Sequence, residues 1–267
     1  MSITAILLAA LVVGAVGILV GFLLVTAGEK FKVEVDEKEV AIRAELPGNN
    51  CGGCGFPGCD GLAAAIAKGE APANGCPVGG APVAAKISAL LGEEASDVKR
   101  RVAFVRCSGD CDTALDKCNY VGIKDCRAAA VVPGRGAKHC VKGCKGFGSC
   151  VTVCKFDAIH VVNGIAVVDS SKCVGCGKCA ATCPNGLIVM IPADAKYVVR
   201  CNSQDKGKAV KEACSAGCIG CSLCTKQCEF GAITMNGNVA VIDQEKCQAC
   251  GKCAEKCPSK IIRKRGE

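Results

Sequence analysis

The chain has 267 residues, long enough for two domains, with no Trp, two Tyr and seven Phe, so neither a large aromatic core nor a base-stacking surface is available. Twenty-six Cys make up close to a tenth of it, a density that leaves a disulfide scaffold or a metal protein. The formal charge of +8 counts every Cys as a neutral thiol, so it is no argument for a nucleic-acid partner if those Cys bind metal as thiolates.

Residues Ile3 to Ala27 carry no charge and, at about 1.5 Å per residue, suffice to span a hydrocarbon core of about 30 Å. A cleaved signal peptide is the rival reading, since Val25-Thr26-Ala27 resembles a cleavage site. No Lys or Arg precedes the run, however, and it is longer than a usual h-region, so residues 1–28 are taken as a transmembrane anchor. Lys30, Lys32, Lys38 and Arg43 follow it, which predicts a single pass with the rest of the chain cytoplasmic. That compartment also keeps thiols reduced.

Residues 29–46 read as a charged linker. Pro47-Gly48-Asn49-Asn50 then introduces Cys51-x2-Cys54-x4-Cys59, closed by Cys76, in a module over 47–95. Glycines let this loop fold closely round a metal centre. Asp60 is placed to cap a short helix from Gly61 to Lys68, and a second helix, Ala81 to Leu91, stops at Gly92. The connecting segment 96–139 contains Cys107, Cys111, Cys118 and Cys126. Their spacing fits no tight motif, so they are read either as a further metal site or as structural thiols.

Residues 140–200 and 201–267 form an internal repeat, with each Cys of the first 74 positions before its counterpart (214−140, 218−144, 257−183). The second copy holds Cys218-x2-Cys221-x2-Cys224-x3-Cys228 and Cys247-x2-Cys250-x2-Cys253-x3-Cys257-Pro258. This is the ligand run of a two-cluster bacterial ferredoxin: three thiolates of one loop hold one [4Fe-4S] cube, and the fourth Cys ligates its neighbour. Cys218, Cys221, Cys224 and Cys257 are therefore assigned to one cube, and Cys228, Cys247, Cys250 and Cys253 to the other. Structural zinc is the bland alternative, but it usually draws pairs of ligands from separated knuckles.

In the first copy Cys154, Cys173, Cys176 and Cys179 make one such set. The other lacks a thiolate, because Phe147 stands where Cys221 does. Cys140, with Cys144, Cys150 and Cys183, is the expected substitute, and a three-thiolate or [3Fe-4S] site is the alternative. Cys201 and Cys214 are left over. Turns at Asn163-Gly164 and Asn236-Gly237-Asn238, between β-branched runs, predict a hairpin in each copy.

Leu46-Pro47-Gly48-Asn49-Asn50-Cys51-Gly52-Gly53-Cys54-Gly55-Phe56-Pro57-Gly58-Cys59-Asp60-Gly61-Leu62 closely resembles the hallmark of the B subunits of Rnf complexes, and the anchor and ferredoxin repeats match that family too. The resemblance implies a membrane complex that moves electrons between reduced ferredoxin and NAD while transporting Na+ or H+. The expected architecture is α+β: the anchor, a small helical [4Fe-4S] module and two tandem two-cluster ferredoxin modules. Five [4Fe-4S] clusters are expected, with Cys107, Cys111, Cys118 and Cys126 as a possible sixth site. At about −2 per oxidised cube, six would bring the protein to roughly −4.

The implied partners are reduced ferredoxin and the integral-membrane and flavin- or NAD-binding subunits, with no nucleic acid. No catalytic acid-base group is expected. His139 and His160 read as ordinary surface residues, and Gly134-Arg135-Gly136 is too short for a nucleotide loop. The basic stretch Lys260 to Arg265 reads as a solvated end or a dock for an acidic carrier or anionic lipid. A polyferredoxin serving a hydrogenase or formate dehydrogenase is the alternative function, although the Cys51 to Cys76 module would not be expected there.

Overall fold

A computed structural model describes residues 3–30, 36–94 and 99–266. Lys32 and the expected module boundary at 95–96 lie outside the described residues. The described side chains of helix α1 (Ile3–Lys30) are exposed, and its stretch Ala10–Lys30, with a mean hydropathy of 2.6, is long and apolar enough to cross a membrane.

The segment expected as a linker instead starts the folded part. Asp36 accepts the Lys38 N–H at 2.9 Å and caps helix α2 (Glu37–Glu45), which packs on α3 (Gly58–Ala67) and α4 (Gly80–Leu91). One apolar residue per turn suffices for this: Ile42 and Leu46 are buried with Leu62, Ile66 and Ile87 in one core. Burying each such side chain stabilises the fold by about 1.5–3 kcal/mol. Of the charges on α2, Arg43 reaches Asp60 at 2.5 Å and Glu45 is reached by Lys86 at 2.7 Å. Asp60 is therefore an ion-pair partner inside α3 rather than its cap. The cap role falls to Asn50, whose Oδ1 accepts the Cys59 N–H at 2.7 Å.

The remainder is built from two similar units, each with two antiparallel strand pairs. In the first, β1 (Arg101–Val105) pairs with β4 (Ile188–Pro192) in the register Ala103 to Met190, and β2 (Ile159–Val162) forms a hairpin with β3 (Ile165–Val168). In the second, β5 (Tyr197–Val199) pairs with β8 (Ile262–Lys264), and β6 (Ile233–Asn236) forms a hairpin with β7 (Val239–Ile242). The first hairpin turns on Asn163 and Gly164, at φ 47° and 74°, as a two-residue left-handed turn requires. Each unit has its own core, with Val102, Ile159 and Leu187 in one and Val239, Ile261 and Ile262 in the other. The short helices α5 (Cys126–Val131), α6 (Ser149–Thr152), α7 (Lys178–Thr182), α8 (Lys208–Ala213), α9 (Leu223–Gln227) and α10 (Lys252–Glu255) complete the chain.

The basic stretch at 260–265 is not a solvated end. Ile261 and Ile262 are 2% and 3% exposed, and Arg265 donates its N–H to Lys196 O at 2.7 Å and its guanidinium to Ala193 O at 2.7 Å. Two apolar residues and a strand pairing outweigh the local charge.

Candidate iron-sulfur sites

Every Cys is a free thiol, and in each ferredoxin-type run the Cys at the third ligand position lies in a one-turn helix: Cys150 in α6, Cys179 in α7, Cys224 in α9 and Cys253 in α10. A left-handed residue before each helix reverses the chain, so the loop wraps round an interior space. Among the described residues, no three His, Cys, Asp or Glu converge on a point that would hold a single metal ion. Three groups of four Cys instead line hollows, an arrangement that suits a cube ligated at its corners better than a zinc ion.

In the second unit Cys218, Cys221, Cys224 and Cys257 line one hollow, with about 330 Å3 of space free of atoms. Burial, and then the neighbouring Cys218, Cys257 and Cys221, push the Cys224 thiol up to about 11. Cys228, Cys247 and Cys253 share that unit's core, and Cys253 is pushed up by burial and then by Cys247 and Cys250. In the first unit, Cys179 is pushed up to about 11 by burial and then by Cys173, Cys176 and Cys154, while Cys173 Sγ accepts the Ala103 N–H at 3.4 Å.

In the helical module Cys59 lies in the first turn of α3, Cys59 and Cys51 lie near enough to Cys76 to act on its thiol, and Cys54 packs against the same core. Gly79 donates its N–H to Cys76 Sγ at 3.3 Å, and burial raises the Cys76 thiol. This loop lies directly on the first ferredoxin-type unit: a Cβ added at Gly53 would meet Cys176 O at 2.7 Å. Gly53 thus allows the backbones carrying two different thiol sets to touch.

At the incomplete run of the first unit the fourth Cys lining the hollow is not the one expected. Cys126, Cys144, Cys150 and Cys183 line a hollow with about 370 Å3 of space free of atoms, and Cys140 is not part of its wall. Burial, then Cys144, Cys126 and Cys183, push the Cys150 thiol up to about 12. The cause is local: Ser149 Oγ accepts the Cys126 N–H at 2.8 Å and donates to Asp125 Oδ2 at 2.7 Å, which ties the start of α5 to the residue beside Cys150. Asp125 caps α5, and the Ser149 hydroxyl, followed by the Ala128 N–H, holds its carboxyl below its ordinary range.

The set Cys107, Cys111, Cys118 and Cys126 is consequently not brought together. Cys126 belongs to the hollow just described, Cys111 and Cys118 are exposed, and Cys107 lies in another hollow with Cys140, Cys201 and Cys214. No short spacing marks Cys126, which precedes Cys144 by 18 positions (144−126). His139 is exposed, and His160 is half-exposed with its Nε2 3.2 Å from Asp157 O.

Burial favours the neutral S–H form of Cys150, Cys179 and Cys224, so binding of a metal ion by these thiols would release their protons. The N–H groups aimed at sulfur stabilise the thiolates that result.

The family model "Putative Fe-S cluster" matches residues 46–78, "4Fe-4S dicluster domain" matches 217–261, and "4Fe-4S binding domain" matches 165–188. The chain is 45% identical to the B subunit of the Na(+)-translocating ferredoxin:NAD(+) oxidoreductase complex of Acetobacterium woodii, over 94% of this chain and 75% of that one. It is 42% identical to the B subunit of the ion-translocating oxidoreductase complex of Methanosarcina acetivorans, over 94% and 95%. This protein belongs to the B-subunit family of ion-translocating oxidoreductase, or Rnf, complexes. A third member, from Clostridium ljungdahlii, is named for proton translocation and is 40% identical over 93% of this chain and 88% of its own. The family and its 4Fe-4S domains establish an electron-transfer iron-sulfur subunit, and α1 fits a membrane anchor.

Proposed function

We propose that this chain is the anchored electron conduit of an ion-translocating ferredoxin:NAD oxidoreductase, accepting electrons from reduced ferredoxin on the cytoplasmic side and relaying them to partner subunits. Five thiol sets hold [4Fe-4S] cubes in this reading: Cys51, Cys54, Cys59 and Cys76; Cys154, Cys173, Cys176 and Cys179; Cys126, Cys144, Cys150 and Cys183; Cys218, Cys221, Cys224 and Cys257; and Cys228, Cys247, Cys250 and Cys253. Bound cubes supply one-electron chemistry without proton transfer, at potentials tuned by N–H bonds to sulfur and by exposure.

The observation that carries the reading is the seating of the Gly53 backbone on Cys176. It makes the Cys51 module, next in sequence to the anchor, continuous with the first ferredoxin-type unit. The side chains hold the thiols in fixed loops, keep water from the buried sulfurs and offset thiolate charge with lysines; Lys178 lies beside the Gly52 position. The two NAD-linked relatives carry that chemistry in the name of the complex, and no nucleotide loop is seen in this sequence, so NAD is assigned to another subunit here.

Stopped-flow mixing of the cluster-loaded chain with reduced ferredoxin, and separately with NADH, tests this. Ferredoxin should bleach the visible absorption and NADH should not. Reduction by NADH alone, or none by ferredoxin, overturns the proposal. Gly53→Val should leave the first bleaching phase intact and slow the later one, because it pries the two modules apart.

A further inference from the structure

Beyond the five sets above, six Cys remain: 107, 111, 118, 140, 201 and 214. Cys111 and Cys118 are exposed, whereas the other four line a single hollow with about 420 Å3 of space free of atoms. Like the hollows around the Cys218 and Cys126 sets, it is lined by four Cys. None of the four falls within a stretch matched by a family model.

We propose that Cys107, Cys140, Cys201 and Cys214 hold a sixth [4Fe-4S] cluster at the junction of the two ferredoxin-type units, each unit contributing two thiolates.

The duplication itself builds the site. Val105-Arg106-Cys107 and Val199-Arg200-Cys201 repeat one tripeptide at the ends of β1 and β5. Each is held by the same bond, from Arg106 N–H to Leu187 O at 2.8 Å and from Arg200 N–H to Ile261 O at 2.9 Å. The two sulfurs then accept equivalent amides, Cys107 from Cys144 at 3.4 Å and Cys201 from Cys218 at 3.3 Å. Cys140 and Cys214 are the counterparts at the 74-residue offset (214−140), and both become available because neither is needed for its own unit's run.

The segment expected to be a mere connector closes the site. Leu115 donates its N–H to Ala213 O at 3.1 Å while its own O accepts the His139 N–H at 2.7 Å, so one strand-like stretch holds the residues preceding Cys214 and Cys140 side by side. Two features of the wall call for a ligand. Ser108 is 8% exposed and its Oγ has no hydrogen-bond partner among the described residues, which is costly unless a bound acceptor such as a cluster sulfide meets it. Lys138, fixed by Gly109 O at 2.6 Å and Gly164 O at 3.0 Å, and Lys142 bring positive charge to the same wall, suited to a centre of net negative charge.

The bonds from Cys144 and Cys218 also set this hollow directly between the Cys126 set and the Cys218 set. An electron arriving from a reduced cube on one side would leave to an oxidised cube on the other, with no bond made or broken and no proton required. Because the ligands come two from each unit, metal loading also staples the units together.

The inference rests on reading the other sets as cluster sites, and a count separates the two. The full chain in detergent, reconstituted anaerobically with iron and sulfide to constant absorbance, is weighed by native mass spectrometry with iron and acid-labile sulfide analysis. Six cubes are expected; five overturn the junction cluster alone, and none overturns the whole cluster reading. Cys201→Ala and Cys214→Ala should each lose about four iron and four sulfide, Cys107→Ala with Cys201→Ala no more than either, and Cys111→Ala none. Retention of all six in Cys201→Ala, or loss of one metal ion without sulfide, refutes the assignment. If a variant loses every cube by unfolding, the wild-type count still decides, since Cys111 and Cys118 could not supply a sixth set.

Discussion

The N–H of Cys126 donates to Ser149 Oγ at 2.8 Å, so a thiol from the connecting segment is tied to the residue next to Cys150. Cys126 thereby joins Cys144, Cys150 and Cys183 around one hollow. Replacing Ser149 with Ala removes the acceptor of a partly buried amide, and we expect a loss of about 1 kcal/mol. The thermal midpoint followed by visible absorbance should fall, and the EPR signal of the Cys126 set should broaden before the others change. An unchanged melting curve and spectrum would show that Cys126 is held by other means.

Cys257 lines the hollow of Cys218, Cys221 and Cys224, although it follows Cys253 in sequence by four positions (257−253). Cys257→Ser should therefore perturb the cube on Cys218, Cys221 and Cys224 and spare the one on Cys247, Cys250 and Cys253. EPR of the reduced protein distinguishes the two, and loss of the latter signal alone would contradict the exchange of closing ligands.

Among the described residues, the apolar stretch Ala10–Lys30 of α1 is not buried against the folded part. Deleting residues 1–30 should leave a brown protein with an unaltered iron content that stays in the supernatant after ultracentrifugation. Sedimentation with the membrane fraction when expressed alone would place the attachment elsewhere.

Lys260 and Lys264 are exposed, whereas Arg265 is committed to Ala193 O and Arg263 to Lys260 O. If ferredoxin docks beside the second unit, Lys260→Gln with Lys264→Gln should slow its reduction of the chain at low salt and flatten the salt dependence. Steering acts on association and weakens as the Debye length shortens to about 8 Å at physiological ionic strength. Stopped-flow traces identical to wild type across a salt series would move the entry site to the Cys51 module or the first unit. Changing Arg265 as well would confuse docking with loss of the β5–β8 pairing.

The sequence by itself determined what lies within a single loop or a single helix. Three Cys two residues apart can only surround a small shared space, so the runs at Cys173 and Cys218 were legible, as were α1, α4 with its left-handed Gly92 and the Asn163-Gly164 turn. The tertiary structure alone decided the partners that arrive from a distance. Ser149 ties Cys126, which no short spacing marks, to the residue beside Cys150, and the pairing of residues 113–115 with 213–215, with the His139–Leu115 bond, brings Cys140 and Cys214 to one hollow. The repeated Val-Arg-Cys was a visible sign of the junction, but its meaning depended on the residues that follow β1 and β5 lining one hollow. In the same way the charged residues of α2 and of the C-terminal strand concealed Ile42, Ile261 and Ile262, because a few apolar side chains that find a preformed core outweigh a polar local composition.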